Sequence, residues 1–275
     1  MIGSVWQIKP PPGTPINWRH PLAQGLVACW PLNESSGTPY ELANNRAASG
    51  IINATWAPSP VGPSLSFAGN GYVQYIGSYL CNTVYTPPFT ILAWFNTTSS
   101  GAASRIINFG NTGTTTPIVG LVWNSSIANS IAGLYRSDAN STSYYETYNA
   151  YNDGKWHCAV GVFVAGVAPA VYVDGAPPTS GGNTVGTISG TCTQNVLTIG
   201  ALTRTSVTLY FTGGINSPMV WNRALSPADI ASITANPWQI YATPAFNRLL
   251  HAAGGAVQDP SGVASDCGTM CIAVP

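Results

Sequence analysis

Short apolar runs recur along this chain about every ten residues, each bounded by Gly, Pro, Asn or Ser clusters. That spacing predicts an all-β sandwich or barrel. Strands are expected over 25–30, 64–68, 72–76, 89–96, 105–109, 118–123, 131–135, 144–148, 156–164, 170–173, 196–199, 206–211 and 215–221. In Leu65-Ser66-Phe67 and in Tyr72-Val73-Gln74-Tyr75-Ile76, apolar and polar positions alternate, as they do in a sheet with one wet face. Thr90-Ile91-Leu92-Ala93-Trp94-Phe95 is more continuously apolar, which predicts a central strand covered on both sides. Gly69-Asn70-Gly71 and Val173-Asp174-Gly175 each place Asn-Gly or Asp-Gly beside strand runs and predict tight hairpins.

One short C-terminal helix stands out. Ser226 is an N-cap, Pro227 takes the first helical position and Asp229 lies in the first turn, near the positive end of the helix dipole. Ile230 and Ile233 share a face, and Asn236-Pro237 ends the element. Residues 1–21 are Pro-rich and read as an extended arm, 22–238 as a single domain, and 239–275 as an extended Gly/Ala/Ser tail.

Composition narrows the class. Only 7% of positions are charged, nine basic against nine acidic, where an ordinary domain has roughly 25%. No apolar run approaches the ~18 residues that would insert in a bilayer. Nine Trp, 13 Tyr and seven Phe give ample apolar area to bury, so disorder is excluded too. The Lys and Arg residues are scattered singly from Lys9 to Arg248 and form no stripe for phosphates, which argues against nucleic acid and anionic membranes. A neutral Ser, Thr, Asn and Gly surface has little self-repulsion and favours association, as in a homo-oligomer. No signal peptide is visible at the N-terminus.

Six cysteines occur without a CxxC pair, and His20, His157 and His251 have no metal-ligand spacing, so zinc is not expected. Cys29 and Cys158 fall inside apolar strands and read as buried thiols. Cys267 and Cys271 lie in the polar tail, where a local disulfide and a link to a neighbouring subunit are both open after oxidation.

The ordered set Gly25 to Gly37 (with Cys29-Trp30-Pro31-Leu32-Asn33-Glu34), Leu65 to Val73, Phe89 to Phe95, Gly154-Lys155-Trp156-His157, Val171 to Gly175, Phe211 to Ile215 and Val220 to Ser226 resembles the laminin-G-like, concanavalin-A-like jelly roll. The resemblance implies two antiparallel sheets packed face to face, with rim loops forming any ligand site. The lead-in Asn17-Trp18-Arg19-His20-Pro21-Leu22 and the exit Asn236-Pro237-Trp238-Gln239-Ile240-Tyr241 are similar to proteins encoded in bacteriophage and prophage genomes. That narrower likeness implies a virion component, an exterior decoration or fibre-type subunit made in the host cytoplasm, with other virion proteins as partners.

Enzymatic relatives of this fold cleave polysaccharides with paired carboxylates. Here the only Glu residues are Glu34, Glu41 and Glu146, without a Glu-x-Asp-x-Glu pattern, so no enzyme is expected. Glu146 alone sits among aromatics, and it reads first as a solvated strand-face residue. His157 reads as a packing or hydrogen-bonding residue. Some relatives hold calcium at the rim; the oxygens on offer are Asp138, Asp153 and Asp174, but Asp174 is first a turn residue and no acidic loop exists, so no cofactor is expected.

Binding of a cell-surface glycan is the main functional alternative to pure architecture, as in a lectin-like adhesion module outside any virion. Tyr135, Tyr144, Tyr145, Tyr148 and Tyr151, with Asn140, Asn149 and Asn152, would offer stacking faces and amides on a rim. The competing reading is that these tyrosines simply cover the sheet. Five Asn-x-Ser/Thr triplets begin at Asn33, Asn53, Asn96, Asn124 and Asn140 and are explained by a surface rich in these residues.

Overall fold

Where the apolar runs fall, strands form. The structure, a computed structural model, describes residues 9–77 and 86–242. The first half holds β1 (Leu26–Cys29), β2 (Tyr40–Glu41), β3 (Arg46–Ala47), β4 (Gly50–Ser59), β5 (Gly62–Ile76), β6 (Phe89–Asn96), β7 (Ser104–Gly110) and β8 (Ile118–Trp123). The second half holds β9 (Ile131–Arg136), β10 (Thr142–Thr147), β11 (Trp156–Phe163), β12 (Ala170–Val173), β13 (Gly182–Val185), β14 (Val196–Ile199), β15 (Leu202–Thr203), β16 (Val207–Thr208) and β17 (Thr212–Trp221), followed by α1 (Pro227–Ala235).

All pairings are antiparallel, and β5 belongs to two sheets. Its Leu65–Ala68 portion pairs with β17, which continues through β6 and β11 to β12, with β1 beside the end of β17. Its Val73–Ile76 portion pairs with β14, which continues through β7, β8, β9 and β10 to β13. We call these sheets A and B. β4 runs along the whole of β5, and its register jumps where Ile52 faces Tyr72 and Ala54 faces Phe67. The expected hairpin at Asn70-Gly71 is therefore corrected to a large bulge inside one continuous strand. Strands that switch sheets turn such corners with bulges, and Gly69 there has φ +85°. The Asp174-Gly175 turn does form, with both residues at positive φ (54° and 85°), but it leads only to a single bridge between Val173 and Ala176. The strand expected over 206–211 reduces to Val207–Thr208, paired with β15.

Two apolar cores result. Between the sheets lie Trp30, Phe67, Phe95, Phe109, Trp123, Tyr135 and Phe163. The second core lies on the other face of sheet A: Cys29, Leu92, Cys158, Val160, Met219 and Trp221 meet Ile16, Leu22, Ile230, Ile233, Trp238 and Ile240. Sheet A is thus covered on both sides, which explains the continuous apolar run in β6. Ile91, Ala93 and Phe95 enter the first core and Leu92 the second.

The helix forms as its sequence dictates. Ser226 Oγ accepts from Asp229 N (3.1 Å), and Asp229 Oδ2 accepts from Ser226 N (3.3 Å), a closed capping box worth about 1 kcal/mol. Arg223 pairs with the same carboxylate at 2.9 Å. Asn236 then accepts from Trp238 N and starts a 3-10 turn, Pro237–Ile240, that brings Trp238 onto sheet A. Residues 9–21 lie against the same domain: Lys9 N donates to Val61 O, and Ile16 bridges Tyr241. Among the described residues, no helix is long and apolar enough to cross a membrane.

Candidate functional site

The outer face of sheet A is not wholly covered. A cleft of about 310 Å³ opens between the sheet, the β4–β5 turn and the end of α1. Trp94, Trp156, Asn216 and Ser217 contribute from the sheet, Pro60 and Val61 from the turn, and Thr234 to Trp238 from the helix end and the segment after it.

Strand pairing sets the two indoles side by side. Trp94 faces Cys158 across β6 and β11, and Trp156 lies two residues before Cys158, so both point to the same side. Trp156 covers Gly214: a Cβ there would come within 2.7 Å of the indole. Directly across from Trp94 on β17 is Asn216, where the ladder breaks and resumes only at Met219 opposite Leu92. This bulge contains Ser217, a non-glycine residue at φ 46°, and Pro218. Proline inside a central strand is tolerated only at such a break. Ser217 Oγ donates to Asn216 Oδ1 (2.9 Å), and Asn216 Nδ2 donates to Ser59 Oγ (3.3 Å), tying the β4–β5 turn over the cleft. Trp94 Nε1 is closed to solvent and has no hydrogen-bond partner.

Lys9 supports this corner. Its Nζ donates to Leu32 O (2.8 Å) and to Pro63 O and stands 5.8 Å from the centroid of the Trp238 ring. Burial lowers its ammonium to about 7, against the opposing pull of Glu34.

The residues expected to form a tyrosine rim are split by the fold. Tyr135 is wholly buried in the inter-sheet core and donates to Gly190 O (2.8 Å), which corrects its placement on a rim. Tyr144 accepts from Asn183 Nδ2 (3.1 Å), while Tyr145 turns to the opposite face and packs against the core. Asn149 accepts from Ser180 N through its side chain, and the Tyr151 ring meets the edge of His157 at 5.2 Å. Tyr148 alone is broadly exposed, at 56%. None of these lines the tryptophan cleft. Of the other two asparagines expected there, Asn140 is an exposed turn residue at φ 64° and Asn152 is half-buried.

Glu146 is not the solvated strand-face residue that the sequence suggested. It is fully buried and accepts from Ser126 N (2.8 Å), Ile127 N (3.1 Å), Ser130 Oγ (2.6 Å) and Ser126 Oγ, holding the loop 124–130. Burial pushes its carboxyl up, but these hydrogen bonds outweigh burial and leave it below the ordinary value.

The three calcium candidates are likewise engaged by protein. Asp138 accepts from Thr191 Oγ1, Thr193 N and Thr193 Oγ1. Asp153 and Asp174 flank His157, at 3.0 Å from Nε2 and 2.8 Å from Nδ1. The hydrogen bond that Asp174 accepts from His157 and the charges of the two carboxylates raise the His157 pKa against its burial, and Asp153, which accepts from Lys155 N and His157, is held well below the carboxylate range. Among the described residues no His, Cys, Asp and Glu group could hold a metal. Cys29, Cys158 and Cys192 are buried free thiols, each pushed up to about 12 by burial. Cys267 and Cys271 lie outside the described residues.

Residues 67–231, more than half of the chain, match a known family model. The chain belongs to the concanavalin A-like lectin/glucanases superfamily. Of the cleft, this superfamily match takes in Trp94, Trp156 and Asn216 but not Pro60, Val61 or Thr234 to Trp238.

Solved structures agree on the fold. The binding domain of Paraclostridial Mosquitocidal Protein 1 is similar at TM-score 0.61 and 10% identity, over 78% of this chain and 52% of that one. This chain therefore spans about half of that protein's length. Domain 4 of AbnA, a GH43 extracellular arabinanase from Geobacillus stearothermophilus solved with arabinotriose, is similar at TM-score 0.55 and 15% identity, over 76% of this chain and 98% of that one. Trypanosoma rangeli sialidase with sialic acid is similar at TM-score 0.56 and 19% identity, over 80% of this chain and 34% of that one. No curated protein sequence matches the chain significantly.

Proposed function

We propose that this superfamily member is a non-catalytic glycan-recognition domain that takes a saccharide into the Trp94, Trp156 and Trp238 cleft. One observation carries the reading: indole surfaces and neutral hydrogen-bonding side chains converge in one concavity, built on a strained bulge of an otherwise regular strand. Sugars present apolar ring faces to aromatics and hydroxyls to amides. Backbone strain that a fold retains is a pointer to function. Structural relatives solved with arabinotriose and with sialic acid lend support. Recognition is preferred to hydrolysis because the one carboxylate among aromatics, Glu146, is committed to its loop. Titration of tryptophan fluorescence with hits from a glycan array tests this. Binding should be lost in Trp94→Ala and retained in Glu146→Gln; retention in Trp94→Ala refutes the cleft.

A second reading, the subunit of a phage particle, draws on the 7% charge and on the lead-in peptide, where Trp18 is 49% exposed. It predicts self-association by light scattering and the chain's presence in purified particles by mass spectrometry. Strict monomers absent from particles would end it.

A further inference from the structure

Charge is sparse in this chain, yet three arginines far apart in sequence gather on the outer face of sheet B. In β7 the side chains of Ile106, Ile107 and Phe109 enter the inter-sheet core, which leaves Arg105 on the opposite face. Arg136 follows the core residue Tyr135 on β9 and so points outward too. Arg204 comes from the hairpin of β15 and β16, which lies across β7: Leu209 O takes the Arg105 N–H, and Thr203 O lies against Gly110.

Two of the guanidinium groups meet at one oxygen. Arg136 Nη2 (2.7 Å) and Arg204 Nη1 (3.0 Å) both donate to Thr115 O, and Arg136 Nε donates to Thr116 O (2.6 Å). Both arginines are half-buried and Thr115 is exposed, so this meeting point lies at the surface. Arg105 stands behind it, 7% exposed. Its Nη1 donates only to the adjacent Ser104 O (3.2 Å), and its Nε is closed to solvent without a partner. Burial, and then the charges of Arg204 and Arg136, lower its pKa to about 10. Burial and Arg204 lower that of Arg136 as well.

Like charges drawn together are costly unless an anion lies among them. Among the described residues no carboxylate takes that place: the ion pairs are those of Lys155, His157 and Arg223. Asp138, two residues beyond Arg136, is spent on Thr191 and Thr193. Donors remain, because a guanidinium has five N–H groups, of which Arg136 uses two and Arg204 one.

We infer that Arg105, Arg136 and Arg204 form a binding site for a doubly charged oxyanion group, a sulfate or a phosphate monoester. The half-exposed forks of Arg136 and Arg204 hold its oxygens, and the buried Arg105 adds charge from behind. A tetrahedral dianion can face two forks at once and offsets two of the three charges, where a carboxylate offsets one. The site shares no residue with the tryptophan cleft and does not depend on saccharide binding there.

Calorimetric titration of the full chain with inorganic sulfate and inorganic phosphate, at constant ionic strength and with acetate as the singly charged arm, tests the inference. Each dianion should bind saturably, one per chain, at least about tenfold more tightly than acetate. Arg136→Gln and Arg204→Gln should each weaken sulfate at least about tenfold, with thermal melts confirming their folds. Arg46→Gln, which changes an exposed arginine on β3 outside the cluster, should bind sulfate as the wild type does. The site is overturned if the wild type binds neither dianion, if the signal never saturates, as for a salt merely excluded from the surface, or if both folded glutamine variants keep wild-type affinity. Acetate binding as tightly as sulfate would overturn the assignment to a dianion.

Discussion

The tyrosine-rich rim around β10 and the tryptophan cleft beside α1 are both aromatic and both carry asparagines, yet they use their polar atoms differently. On the rim the protein answers itself: Glu146 binds the loop 124–130, Asp153 and Asp174 hold His157, Asn149 takes Ser180 N, and Tyr144 takes Asn183. In the cleft the polar side chains are neutral, with Asn216 and Ser217 buried in the bulge and Thr234 and Asn236 half-buried beside two half-buried indoles. Aromatic density alone therefore does not mark a binding site. What marks it is concavity lined mainly by apolar surface with a few neutral polar groups.

The largest effect that can test this contrast is at Glu146. Its removal takes the acceptor from two backbone N–H groups and the Ser126 hydroxyl and leaves Ser130 only Ile127 O to bind. Glu146→Ala should lose about 3 kcal/mol in denaturant unfolding, with Glu146→Gln intermediate. Saccharide affinity of the folded Glu146→Gln protein should stay unchanged. A stable Glu146→Ala protein that no longer binds sugar would reverse the roles of the two regions.

Next comes Gly214, where the cleft is sensitive and the rim is not. A methyl group there would lie 2.7 Å from the Trp156 ring, so the indole must move. Gly214→Ala should cost about 1–2 kcal/mol of stability and at least about tenfold in saccharide affinity. Unchanged affinity would show that the saccharide does not rest on Trp156.

These contrasts also show what a sequence reader could and could not see. The helix was legible because its signals are local: Ser226, Pro227 and Asp229 act within one turn. The two-sided burial of β6 was legible in its unbroken apolar run. β4 was not, because Gly50–Ser59 is an edge strand whose half-exposed Asn, Thr, Ala and Pro carry no alternation. Asn70-Gly71 imitated a hairpin because a sheet-switching bulge needs the same permissive residues as a tight turn. The cleft was hidden by distance, since it unites positions 94, 156, 216, 217 and 234–238. One clue was present: Asn216-Ser217-Pro218 interrupts an otherwise strand-like run, and proline in such a place signals a bulge.

A smaller effect is expected from the rim's ion pairs. The two aspartates raise the His157 pKa, so its contribution to stability is fully present below the unfolded value of about 6.5 and is lost as pH rises through the folded value. Both partners are close to half exposed, which keeps that contribution under about 1 kcal/mol. The stability gap between wild type and His157→Gln should therefore be wider at pH 5.5 than at pH 8.5. Taking the difference between the two proteins cancels the opposite drift from Lys9, whose lowered ammonium makes stability rise with pH above about 7. A gap that widens with pH would show that His157 is held neutral.

The smallest change is expected where the sequence drew most attention. Tyr148 is the one broadly exposed tyrosine of the rim, 56% accessible, and it lines no part of the cleft. Truncating an exposed side chain without special contacts moves stability by no more than about 0.5 kcal/mol, so Tyr148→Ser should melt like the wild type. Its saccharide titration should superimpose on the wild-type curve as well, because the apolar surface offered to the ring comes from Trp94 and Trp156 on the other side of the domain's chemistry. If Tyr148→Ser loses binding and Trp94→Ala keeps it, the ligand rides on the exposed rim, and a neutral, mainly apolar concavity is the wrong criterion for telling the two aromatic regions apart.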